Sequence, residues 1–82
     1  MKFVKKGFMT RDEYGNIILV NEKKEAYKVT EGVAMIWQMS DGKSEDELLN
    51  EVSKATELSV EELKEPLTEL LEKLREVELL AY

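Results

Sequence analysis

The chain has 82 residues, of which 43% are hydrophobic, with a net charge of −6 and neither cysteine nor histidine. That length fits one small domain with a modest core. The two missing residue types exclude a disulfide framework, a thiol nucleophile, the commonest general base and the usual zinc ligands. Charge is uneven. Residues 1–30 carry seven Lys/Arg against four Asp/Glu, whereas residues 31–82 carry five against fourteen. An acidic second half disfavours phosphate binding, because nucleic-acid affinity rests on neutralising phosphates. Apolar runs are too short for a signal peptide or a membrane span, so a cytoplasmic location is expected.

In chain order, Phe3 to Met9 (FVKKGFM) reads as a first strand with Gly7 as a bulge. Thr10 to Asn16 is a turn-rich connector. Ile17 to Val20 is a short apolar run suited to a central strand covered on both faces. Asn21 to Lys24 is a hairpin loop. Glu25 to Val29 alternates, with Tyr27 and Val29 on one face and Ala26 and Lys28 on the other. The expectation is an antiparallel meander over about 3–9, 17–20 and 25–29, with exposed edges.

Three helices follow. Thr30 is a good N-cap for a helix over about 31–40 that carries the single tryptophan, Trp37, on an apolar face. That face reads as core rather than as a binding hot spot. Asp41-Gly42 stops it. Ser44 and Glu47 form a capping box for a helix over about 45–56, with Leu48, Leu49, Val52 and Ala55 as its inner stripe. Ser59 starts a third helix over about 60–78. Val60, Leu63, Leu67, Leu70, Leu74 and Val77 form a seam with spacings of three and four, and Lys64, Thr68, Leu71 and Arg75 form a second stripe beside it. Pro66 interrupts the pattern. It either kinks one helix, the preferred reading, or sits at the first position of a re-capped segment. Leu79 to Tyr82 is an apolar tail able to pack back on the sheet.

Catalytic constellations are missing. Asp41, Glu45, Asp46 and Glu47 cluster at a helix start, where capping and the helix dipole account for them. The serines have no histidine to activate them, and the four glycines are scattered rather than arranged to cradle phosphate. The chain is therefore not expected to be an enzyme or to hold a cofactor or metal.

The segment Tyr27-x-Val29-Thr30, then Ala34-x-Ile36-Trp37, then Asp41-Gly42, then Leu70-Leu71-x-x-Leu74 and Leu79-Leu80 resembles the PqqD-like family. That family is named for a protein of pyrroloquinoline quinone biosynthesis, and its members are also called RiPP recognition elements. The resemblance runs from about Gly15 to Leu80. The family usually has Leu-Asn where Val29-Thr30 stands here, and often has glycine in place of Glu78. The resemblance implies an α+β fold, a three-stranded antiparallel sheet followed by a winged-helix-like three-helix bundle. It implies a non-catalytic peptide chaperone. Such a chaperone binds the leader of a ribosomally made precursor peptide as an added strand and presents it to a modifying enzyme, often a radical SAM enzyme. Mapped onto this chain, the receiving strand is Glu25, Ala26, Tyr27, Lys28, Val29 and Thr30. The facing helix wall is Lys64, Leu67, Thr68, Leu71 and Arg75. Two other readings stay open: an oligomerisation scaffold or homodimer joined through the third helix's leucine seam, and a winged-helix nucleic-acid binder, which the seven glutamates between Val60 and Glu78 disfavour.

Overall fold

The computed structural model describes residues 1–82. In chain order the elements are β1 (Val4–Lys5), β2 (Phe8–Arg11), β3 (Ile17–Val20), β4 (Ala26–Val29), α1 (Glu31–Ser40), α2 (Glu45–Thr56), α3 (Val60–Glu76) and β5 (Leu80–Ala81). β2, β3 and β4 form an antiparallel sheet in that order, and β1 pairs with β5 in a separate two-stranded sheet. The fold is α+β, with a three-stranded antiparallel meander and three helices.

The expected single strand over 3–9 is two strands in two sheets. Gly7 divides them. Its φ is +82°, and a Cβ built there would lie 2.0 Å from the carbonyl oxygen of Val20. Only glycine combines that backbone angle with that close an approach. Before Gly7 the chain pairs with the C-terminal tail, Val4 opposite Ala81 and Lys5 opposite Leu80. After it, the chain joins the meander, Phe8 opposite Val20. β2 also runs on to Arg11, into the stretch read as connector.

Two side chains fix the meander's turns. The Asp12 carboxylate accepts from the amides of Tyr14 and Asn16, both at 2.9 Å, and from the Asn16 side chain. Asn21 is 1% exposed. Its Oδ1 accepts from the amides of Lys23 and Glu25, and its Nδ2 donates to the Val77 carbonyl at 2.7 Å. The β3–β4 hairpin is thereby tied to the end of α3. A buried amide side chain has to satisfy its donors and acceptors in this way, because leaving them unmade is costly.

Each helix begins at a side-chain cap. Thr30, Ser44 and Ser59 accept from the amides of Val33, Glu47 and Glu62, all at 3.2 Å. The Glu47 carboxylate returns the bond to the Ser44 amide and also meets Lys2 at 3.0 Å. These contacts, the Ser44 amide first, hold its pKa down at about 2. α3 runs unbroken through Pro66. It stops two residues before the expected end, in a left-handed turn. The amides of Glu78 and Leu79 donate to the carbonyls of Arg75 and Leu74 at 3.1 and 2.8 Å, the bond pair of a Schellman stop. Glu78 takes φ 60° there. The glycine common at this position in the family that the sequence resembles would meet that requirement without strain.

The core is one cluster. Leu19 of β3, Trp37 of α1, Leu48 of α2, Leu71 of α3 and Leu79 before β5 are each no more than 2% exposed. The Trp37 indole N–H donates to the Leu79 carbonyl at 2.8 Å, so the largest apolar side chain is buried without an unmet donor. Ala55, expected on the inner stripe of α2, is exposed. The buried residues of α2 are Leu48, Leu49 and Val52.

Candidate functional site: the β4 edge and its groove

β4 is the last strand of its sheet, paired only with β3. In an antiparallel pair, alternate residues exchange both ladder bonds while those between them turn their groups the other way. The Asn21 amide donates to the Glu25 carbonyl at 3.0 Å. Following that register, Leu19 opposite Tyr27 and Ile17 opposite Val29 are the bonded pairs. The N–H and C=O of Ala26 and Lys28 therefore face outward. Thr30 turns its amide the same way, and its carbonyl caps α1 by accepting from Ala34.

A groove lies along this edge. Its floor and walls are Tyr27 and Val29 of β4, Val33 of α1, Leu70, Leu74 and Val77 on the α3 side, and Leu79. Lys28, Thr30 and Lys73 complete the lining of a hollow of about 340 Å³. Strand alternation explains the near wall. Tyr27 and Val29 are half-buried against the core, whereas Ala26 and Lys28 are exposed on the other face. Helix periodicity explains the far wall, because Leu70, Lys73, Leu74 and Val77 are three and four residues apart and share one face.

The structure brings together only part of the predicted set. Ala26 to Thr30 lie at the edge as expected. Glu25 sits in the hairpin, its carboxylate accepting from Asn21 Nδ2 at 2.9 Å. The predicted helix residues lie elsewhere. Leu67 and Leu71 are 4% and 2% exposed and belong to the core. Lys64 and Thr68 border a different hollow with Glu61, Glu65 and Glu69, and the Thr68 hydroxyl donates to Glu45 of α2 at 3.2 Å. Arg75 turns to the C-terminus, its guanidinium 3.9 Å from the centre of the Tyr82 ring. The cause is helix phase. Leu71 follows Leu70 by one residue, about 100° around the axis. The inward stripe is 67–71–74, and the groove stripe is 70–73–74–77. Val33, Leu70, Lys73, Leu74, Val77 and Leu79 are the lining residues that sequence reasoning did not place in the groove. The spacing of Leu70, Lys73, Leu74 and Val77 was the available signal.

The three groups with displaced pKa values, Asp12, Lys23 and Glu47, all lie outside this groove. No three His, Cys, Asp or Glu side chains stand close enough together to hold a metal ion. What the groove offers is main-chain pairing beside an apolar trough.

A family model described as coenzyme PQQ synthesis protein D (PqqD) matches residues 15–80. The chain belongs to the PqqD family. The match covers β3, β4, all three helices and the first residue of β5, and so every residue lining the groove of this PqqD-family chain. No curated protein and no solved structure matches the chain. No helix is long and apolar enough to cross a membrane.

Proposed function

We propose that this PqqD-family chain is a non-catalytic peptide chaperone that receives the leader of a ribosomally made precursor as an extra strand on β4. Family membership supports the broader role, a peptide-binding accessory protein in the biosynthesis of PQQ or another peptide-derived product. The observation that carries the binding mode is the open β4 edge lying along an apolar groove. An added strand gains main-chain hydrogen bonds from Ala26 and Lys28, and its alternate side chains enter the groove. The enzyme served in this reading is a radical SAM enzyme, acting in the cytoplasm, and the sheet followed by three helices forms the winged-helix-like frame of the binding site.

The receiving strand keeps its expected residues, Glu25 to Thr30. The helix wall is reassigned to Leu70, Lys73, Leu74 and Val77. Titration of the labelled protein with the leader of its precursor peptide should shift the amide resonances of residues 25–30 and of this α3 stripe. Shifts confined to α2, or to the Lys64–Thr68 hollow, would refute strand addition at β4.

The scaffold reading has less surface to draw on, because the seam residues Leu67 and Leu74 are buried within the protomer while Val60, Leu63, Leu70 and Val77 are half-buried. The nucleic-acid reading gains nothing, since the α3 face around Lys64 and Thr68 is bordered by Glu61, Glu65 and Glu69.

A further inference from the structure

Two lysines flank the apolar groove, and no carboxylate lines it. Its lining includes Lys28 from the strand and Lys73 from the helix, and no Asp or Glu. The chain as a whole has 18 acidic against 12 basic side chains, so a groove with only cations runs against the average. Neither lysine is held in a close ion pair; the Asn16 side chain is the first cause of the lowered Asp12 pKa, and Lys28 acts within the protein only as one of the weaker influences that hold it down. The ion pairs of the structure are Lys2–Glu47, Lys23–Glu78 and Lys43–Glu51. Lys28 and Lys73 take part in none of them. Glu69 and Glu76, one turn to either side of Lys73, border other hollows, the first with Lys64 and the second with Arg75.

We infer that the segment this groove accepts is acidic as well as apolar: an extended stretch with apolar residues at every second position and carboxylates between or beside them. The inference builds on the strand-addition reading and adds charge selectivity to it. The geometry divides the labour. A strand laid on β4 presents alternate side chains to opposite faces. Those facing α3 meet Tyr27, Val29, Leu70, Leu74 and Val77. Those facing the other way lie beside Lys28, which is on the outer face of β4. Lys73 is exposed and borders the trough from the helix side. Carboxylates on the incoming segment meet an ammonium at both rims, whereas lysines there meet repulsion. Main-chain bonds to Ala26 and Lys28 are indifferent to sequence, so the charge pattern supplies discrimination that the backbone does not.

The probes are two synthetic seven-residue peptides, both acetylated and amidated, with valine at alternate positions. One has glutamate and the other lysine at the positions between. Each is titrated into the labelled protein at 20 mM and at 500 mM salt. The glutamate peptide should bind at least about 5-fold more tightly at low salt, the scale of two exposed charge contacts. Screening should shrink the difference at high salt. Lys73→Gln should reduce the preference and Lys73→Glu should abolish it, since Lys28 is then balanced by one carboxylate, with the fold of each checked by its amide spectrum. Equal affinities for the two peptides, or a preference that Lys73→Glu leaves unchanged, would overturn the charge assignment while shifts at residues 26–30 still upheld strand addition. If neither peptide shifts residues 26–30 at millimolar concentration, sequence-tolerant strand addition itself fails.

Discussion

Neighbouring leucines on α3 should separate folding from binding. Leu71 is 2% exposed within the core cluster, whereas Leu70 is half-buried and lines the open groove. Truncating Leu71 to alanine removes three buried carbons, about 2.4 kcal/mol of transfer free energy. It also leaves an enclosed void, so the total cost should be about 3–4 kcal/mol. A chain of this size is typically stable by about 4–12 kcal/mol, and a urea dependence of about 1 kcal/mol per molar turns that loss into a midpoint lower by about 3–4 M. Leu70→Ala opens no closed cavity, because one side of the residue already faces the groove. About 1 kcal/mol, and about 1 M, is expected. Binding should show the opposite order. Leu70→Glu places a carboxylate against the trough and should weaken leader binding by more than about 10-fold. Leu71→Ala, measured cold where it remains folded, should stay within about 3-fold of the parent. Urea titrations followed by circular dichroism, together with calorimetric titration of the leader, measure both sides. A Leu71→Ala variant no less stable than Leu70→Ala, or a folded Leu70→Glu variant with parental affinity, would refute the helix phase assigned to the groove.

Other outcomes follow from single contacts. Because the folded-state pKa of Glu47 is depressed from 4.5 to about 2, its contribution to stability is fully present above about pH 4.5 and is lost as pH falls towards 2. The urea midpoint should decline through that window, and Glu47→Gln should flatten the decline; an unchanged profile would contradict the capping-box and Lys2 contacts. Gly7→Ala should cost about 2–3 kcal/mol or more, since a Cβ would meet the Val20 carbonyl at a positive φ; a thermal midpoint within a degree of the parent would contradict the backbone at that divide. Lys28→Pro removes an outward amide and should cost about 1 kcal/mol of stability, yet weaken leader binding by at least about 10-fold. Tyr27→Pro removes a ladder bond to Leu19 and should cost about 3 kcal/mol; equal stability losses in the two variants would contradict the alternation assigned to β4.

The meander and the three helices were legible because their signals are local. Thr30, Ser44 and Ser59 cap the helices that follow them. The alternation from Ala26 to Val29 gives the inward and outward faces of β4 directly. The departures come from long-range packing. The break at Gly7 depends on the Val20 carbonyl thirteen residues away and on a C-terminal strand that pairs with Val4 and Lys5. The sequence marks Gly7 as a bulge and the tail as apolar, but no local pattern shows that the two segments pair in a sheet of their own. The predicted helix stripe falls outside the groove because α3 has more leucines than one face can hold. Leu67, Leu70, Leu71 and Leu74 are each compatible with a core seam, and only the burial of Leu67, Leu71 and Leu74 in the core cluster decides which of them remain open to the groove. Val33 joins the groove because α1 leaves β4 immediately after Thr30, which is a matter of tertiary placement.

The open β4 edge can be tested directly by hydrogen exchange at single amides. In the free protein, the amides of Tyr27 and Val29 should exchange slowly and that of Lys28 quickly; saturation with the leader peptide should protect Lys28 by at least about 10-fold, the signature of a new main-chain bond. A Lys28 amide already protected in the free protein, or one that still exchanges quickly when the leader is bound, would contradict strand addition at this edge.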